Sequence, residues 1–438
     1  MVDIYIHKHF LGFKQHLLCL PSGELRKVGE VLPDNATLVY GSPSFQEISK
    51  LYSLPLPSFP PPSHVKALQT ALGSLDVSQV PWSLAMPPKA FTEALKALGK
   101  ELVEHFGNLD LTYYLTHYKR GNMVFPCLQR AKIDPRAWMV HSSNKELTNP
   151  HVLATFKPDD EGYAGKVVYS RCDTRTGRLK TLEGPNILLL PKEQRNILGS
   201  RFGFEGQVMS LDYSSLEPRL VLLLSNLTRT ITTTSISSSI SYFPSPPPLL
   251  GYPPPLEGIA KEKDLYSVVI REMGMRGISR ELVKEVLLSQ LYGASYETLM
   301  TKLEGVPNAM DLVEAISEFF SLPLLRGRIL EEYEANNRRF IYSYYGRKVD
   351  TQGVNTYMLL NYYIQSTAVD VVMYGFWNIL QHIQGNDGVV PLFILHDALI
   401  LDIHKDLLPM LDTLCNIGSK DIPLFSSETR FPLRASRF

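Results

Sequence analysis

The stretch VPLFILHDALILDI, Val390 to Ile403, consists of two apolar runs separated only by His396 and Asp397. Short runs rich in β-branched and aromatic residues, broken by two polar ones, predict strands over Val389–Leu395 and Ala398–Ile403 joined in a tight hairpin. Asp397 would then stand at the hairpin tip. A second short apolar run, Val208 to Leu211, ends in the same way at Asp212, within VMSLDYSSLEPRL. If these strands share a sheet, two carboxylates meet at its end. Two hard anionic ligands on rigid strands, completed by substrate phosphates, are a usual way to hold Mg²⁺ for phosphoryl or nucleotidyl transfer. Taken singly, a carboxylate at a strand end more often caps the following turn.

Working outward, apolar residues recur at helical spacing over Pro87–Phe106, Asp264–Met273, Ser279–Leu291, Asn308–Phe320 and Asn355–Leu380. In SRELVKEVLLSQLYGAS, the residues Arg280, Lys284, Leu288 and Tyr292 repeat every four positions and so stay near one helical face. Such a stripe can clamp a triphosphate with Arg and Lys while Tyr packs on a base or sugar. It can equally be a solvated face closed by Gly293. Arg175, Arg178 and Lys180 in TRTGRLKTLEGPN, followed by Arg195 and Arg201, suit a nucleic-acid backbone or a charged hairpin. From His117 to Lys145, basic residues interleave with Tyr118, Phe125 and Trp138, a pattern shared by nucleic-acid surfaces and ordinary solvated ones.

The 438 residues are long enough for about three domains or one multi-lobed enzyme. At 44% hydrophobic and 20% charged, the composition excludes collagenous, wholly disordered and membrane classes. Lys+Arg (44) equal Asp+Glu (44), so any basic groove is local. Cys19, Cys127, Cys172 and Cys415 form no CxxC pair, which argues against a zinc ribbon or disulfide framework and for reduced thiols inside a cell. The N-terminus lacks the apolar stretch of a signal peptide, and no run of about 18 apolar residues could span a bilayer, so a soluble protein is expected. PLPSFPPPS, Pro55 to Ser63, reads as a stiff linker, and the Ser/Thr/Pro-rich residues 225–258 as a disordered insertion.

The ordered series TRTGRL (Thr174–Leu179), DYSSLEPR (Asp212–Arg219), RELVKEVLLSQLYG (Arg280–Gly293), NYYIQSTAVD (Asn361–Asp370) and LHDALILDI (Leu395–Ile403) resembles family A DNA polymerases, the class of bacterial DNA polymerase I and many phage replicases. The resemblance covers about Val167 to Phe438. It implies an α+β right-hand polymerase, with an antiparallel palm sheet, helical fingers and a small N-terminal domain. The corresponding divisions are 1–83 as a domain of unassigned role, 84–153 as a thumb-like basic region, and 154–224 as palm. After the 225–258 insertion come fingers at 259–350 and palm again at 351–438.

Residue by residue, the resemblance implies that Asp212, Asp397 and the Tyr213 backbone carbonyl bind two Mg²⁺, with Mn²⁺ as a substitute. Arg280 and Lys284 would hold the β- and γ-phosphates of a dNTP, and Lys284 would protonate the leaving pyrophosphate. Leu288 and Tyr292 would adjoin the incoming nucleotide, and Glu217 would exclude a 2′-hydroxyl. Arg178, Asn186, Asn361, Gln365 and His396 would contact primer, template or minor groove. The activity implied is template-directed transfer of dNMP to a primer 3′-hydroxyl with release of pyrophosphate, in DNA replication or repair. Its partners would be primer-template DNA, dNTPs and a replisome helicase or clamp, with no membrane. The location would be intracellular: cytoplasm, nucleoid or nucleus, or a host cell for a phage or viral enzyme.

The chain departs from the family pattern at Leu288 for an aromatic, Ser289 for Gly, Ala398 for the Glu after the HD pair, and Leu188 for Gln. The opening Val2-Asp3-Ile4 lacks the acidic pair of a proofreading exonuclease, so none is expected. The alternatives are an inactive polymerase-like protein that binds primer-template DNA, and a metal-dependent nuclease using the same carboxylates.

Overall fold

The computed structural model describes residues 2–73, 80–143, 149–234, 262, 264–274 and 277–438. Two compact units divide it, Met1–Tyr114 and Leu115–Phe438.

The first unit is built on four short strands, Ile4–Ile6, Leu17–Cys19, Leu25–Lys27 and Leu38–Tyr40. Ile4–Ile6 pairs antiparallel with Leu17–Cys19 and parallel with Leu38–Tyr40. The Pro88–Phe106 helix, opened by proline and followed by Gly107 as its punctuation predicts, buries Phe91, Leu98, Leu102 and Phe106. It belongs to this unit. The proline run read as a linker is instead packed here. Pro57 accepts a hydrogen bond from the Tyr40 hydroxyl at 2.7 Å, and the Phe59 ring meets Phe91 edge-on with 5.9 Å between centroids. Those two contacts supply the burial that composition alone did not reveal.

The second unit holds a four-stranded antiparallel sheet in the order Val389–Leu395, Ala398–His404, Gly206–Tyr213, Leu433–Arg437. Every residue of Val389–Leu395 is buried, which is why that strand reads as a continuous apolar run rather than an alternation. Pro391 is tolerated at this position because the strand lies at the sheet edge, where the ladder bulges between Pro391 and Phe393. The long helix Leu359–Ile383 is buried nearly all round, as expected of a helix without a polar face. Gly375 on this helix leaves the space in which the Tyr213 hydroxyl reaches the Gly418 carbonyl at 2.8 Å; a Cβ there would lie 1.7 Å from that oxygen. The helix thereby fixes the end of the Gly206–Tyr213 strand.

The helix begun at Leu216 runs to Thr234, into the stretch read as the 225–258 insertion. The rest of that stretch lies outside the described residues.

The same unit buries an ion pair, Arg171 with Asp370, at 0% and 1% side-chain exposure. Asn122 and the Tyr118 ring also contact the guanidinium, and Arg347 donates to the Arg171 carbonyl at 2.8 Å. Asp370→Ala leaves that cation desolvated without its counter-charge. It is expected to cost about 3–5 kcal/mol, measured as a lower denaturant midpoint with unchanged slope.

Candidate active site

The sheet register places Ala398 opposite Asp212. Asp212 and Asp397 therefore stand side by side where two turns leave the sheet, and the Tyr213 amide donates to the Asp397 carbonyl at 3.2 Å. Both turns carry a non-glycine residue in the left-handed region, His396 at φ 55° and Ser215 at φ 55°. Such backbone costs on the order of 1–3 kcal/mol and is retained where the surroundings over-determine it, as functional sites often do. One of those surroundings is Arg219, fully buried, whose Nε donates to the Ser214 carbonyl at 2.9 Å.

Desolvation and the neighbouring Asp397 push the Asp212 carboxyl up to about 7, while Arg434 and Lys284 oppose the shift. Desolvation likewise raises Asp397. A pair that retains a proton near neutrality has more negative charge than the chain itself balances, the condition a cation relieves. Two carboxylates form an oxygen donor set that suits Mg²⁺ together with substrate phosphates and water. No third His, Cys, Asp or Glu completes a cluster among the described residues.

Facing the pair across a cleft of about 630 Å³ is the exposed side of the Arg280–Leu291 helix. Ser279 caps this helix by accepting from Leu282 N at 3.2 Å, and its Val283, Val286, Leu287 and Leu291 turn inward. That inward face leaves Arg280, Lys284, Leu288 and Tyr292 on the cleft wall. The stripe is thus a wall of the cleft rather than a plain solvated face. Ser289 is buried, and its hydroxyl accepts from Lys302 Nζ at 3.3 Å.

Glu217, in the first turn of the Leu216–Thr234 helix, joins the walls. One oxygen accepts from Arg178 Nη2 at 3.0 Å and the other from the Tyr292 hydroxyl at 3.0 Å. Burial raises the Glu217 carboxyl, with Arg178 and Tyr292 opposing. Burial and Glu217 together push the Tyr292 phenol up to about 12. Arg178 follows Gly177, whose φ of 81° and close approach to the Arg347 guanidinium exclude a side chain; a Cβ would lie 2.7 Å from Nη1. His396 is kept below its usual value by desolvation, Arg178 and Arg195.

The structure thus gathers Arg178, Asp212, Tyr213, Glu217, Arg280, Lys284, Leu288, Tyr292, Gln365, His396 and Asp397 around one cleft. Asn186 and Asn361 are not on its wall. Asn361 is buried and accepts from Gln365 Nε2 at 2.6 Å, so it supports a wall residue. Asn186 is held by its backbone N–H, which donates to Thr155 Oγ1 at 3.0 Å. Sequence reasoning missed Tyr266 and Arg434, which also line the cleft. Arg434 lies directly across the ladder from Asp212, on a final strand that no motif marks.

No family model and no curated protein matches the sequence. Among solved structures, the chain is similar to the polymerase domain of Pol1 from M. smegmatis, solved in complex with DNA primer-template and dNTP. The match covers 97% of this chain and 92% of that one, with a TM-score of 0.50 and 13% identity. At that identity the likeness is one of fold.

Proposed function

We propose that the protein is a DNA-directed DNA polymerase of the family A type, which transfers dNMP from dNTP to a primer 3′-hydroxyl and lacks proofreading. The observation that carries the proposal is the pairing of Asp212 with Asp397 at the end of one sheet, opposite the Arg280, Lys284 and Tyr292 wall. The fold shared with a polymerase domain supports it.

In this proposal the sheet of the second unit is the palm and the helices over 265–335 belong to the fingers. Asp212, Asp397 and the Tyr213 carbonyl would hold two Mg²⁺, which when bound would lower the pKa of the primer hydroxyl and offset charge on the α-phosphate. Lys284 and Arg280 supply positive charge to the β- and γ-phosphates, and Lys284 delivers a proton to the departing pyrophosphate. Tyr292, tethered to Glu217, forms the floor beneath the nascent base pair. Glu217 fills the space a 2′-hydroxyl would need, which favours deoxynucleotides.

Described residues include no helix long and apolar enough to cross a membrane. The partners proposed are primer-template DNA and dNTPs.

Extension of a labelled primer on a template, with Mg²⁺ and either dNTPs or rNTPs, tests the proposal. Template-directed extension with dNTPs and little with rNTPs is expected. Tight primer-template binding without extension would instead assign the chain to an inactive DNA-binding form, and degradation of DNA without nucleotides to a nuclease.

A further inference from the structure

Arg280 reaches the cleft wall with its guanidinium already engaged. Its Nε donates to both carboxylate oxygens of Asp264 at 2.9 Å, and its plane lies over the Tyr266 ring, 5.2 Å from the centroid. Glu281 lies 3.5 Å from Nη1. Asp264 is itself held, because Ser267 Oγ donates to its Oδ2 at 2.6 Å, and it stands at the start of the Leu265–Glu272 helix. Tyr266 is buried and lines the cleft, as does Ser215 in the turn after Asp212. A connected chain therefore runs from Ser267 through Asp264 and Arg280 to the Tyr266 ring on the cleft wall.

A guanidinium has donors on separate edges. An acceptor on Nε fixes its plane; Nη1 faces the solvent-exposed Glu281 carboxylate at 3.5 Å, which leaves Nη2 for a second anion. Without that acceptor, the long side chain would sample many rotamers and lose that freedom only when substrate binds. Asp264 carries a negative charge near a site meant for phosphates, and it sits at a helix N-terminus, where that charge is stabilised.

We propose that Asp264 is a positioning residue for triphosphate recognition, holding Arg280 with its Nη edge presented to the β- and γ-phosphates; this rests on the polymerase reading of the cleft. Asp264 touches no reacting atom, and its effect passes through Arg280.

Steady-state kinetics of the full chain on primer-template DNA test this. Asp264→Ala and Asp264→Asn should each raise the dNTP KM about tenfold while kcat stays within about threefold. Inhibition by inorganic tripolyphosphate should weaken in step, whereas inhibition by dNMP, which lacks the β- and γ-phosphates, should not change. In an Arg280→Ala background, the Asp264 substitutions should add nothing. An unchanged KM, equal weakening of dNMP, or full additivity with Arg280→Ala would overturn the proposal. If Asp264→Ala does not fold, Asp264→Asn, which keeps the side chain's size and an oxygen for Ser267, carries the test. If the wild type extends no primer, the polymerase reading fails by itself. Calorimetric titration of tripolyphosphate into wild type and Asp264→Asn then decides the positioning role, with weaker binding to the variant supporting it and equal binding rejecting it.

Discussion

Asp397→Asn is expected to lower dNMP incorporation by at least about 10³-fold while leaving primer-template affinity within about twofold. The substitution keeps the size of the side chain and removes one of the two charges at the end of the sheet. Asp212→Asn should act alike, since the two residues are ligands of one site, and the double variant should be scarcely worse than either. Single-turnover extension of a labelled primer, beside fluorescence anisotropy of the same DNA, measures both quantities. A D397N enzyme extending at the wild-type rate would remove that carboxylate from the mechanism.

Stability gives this prediction a second, independent sign. With the Asp212 carboxyl pushed up to about 7, the metal-free folded state holds a proton that the unfolded chain releases at the ordinary carboxylate pKa. Between those two values the folded state binds more protons, so metal-free stability falls as pH rises through the window. Removing either charge relieves the repulsion. D212N and D397N should therefore melt above wild type at about pH 8 in the presence of a chelator, although both are inactive. Inactivity with a lowered melting temperature would point to lost structure instead of a lost ligand.

How much of this site is legible in the sequence follows from where its parts lie along the chain. The Val389–Leu395 and Ala398–His404 strands are adjacent and apolar, so the hairpin and its tip carboxylate can be read directly. The Arg280 to Tyr292 stripe is legible because helical periodicity is local. Asp212 belongs beside Asp397 only through a pairing that no local pattern encodes, and the ordered motifs supplied that link. Arg434 had no such support, since it meets Asp212 only across the ladder of the last strand. Asp264 is equally hidden: it lies sixteen positions before Arg280, and their contact depends on how two helices pack. The Pro55–Ser63 run misled because proline stiffness says nothing about burial, and Phe59 and Pro57 are drawn inward by Phe91 and Tyr40.

Glu217→Ala is expected to have the second large effect, and to have it on substrate choice. If the side chain excludes a 2′-hydroxyl, its removal should narrow the ratio of dNTP to rNTP kcat/KM by about 10²-fold or more. The same change withdraws the acceptor of both Arg178 and Tyr292, which wild type holds at 3.0 Å each. Loss of that tether should lower dNTP kcat/KM about tenfold as well, so selectivity must be measured as a ratio. Glu217→Gln separates volume from charge, because it still fills the space and can still accept from one partner while weakening the Arg178 contact. Sugar choice should survive in the Gln variant and collapse in the Ala variant. Tyr292→Phe completes the set, since it breaks one hydrogen bond without opening space and so should leave selectivity intact. Single-nucleotide incorporation on one template, with dATP and ATP in parallel, gives the ratio for wild type and each variant. Unchanged selectivity in Glu217→Ala would leave Glu217 as a tether for Arg178 and Tyr292 alone, and would shift sugar recognition to another wall of the cleft.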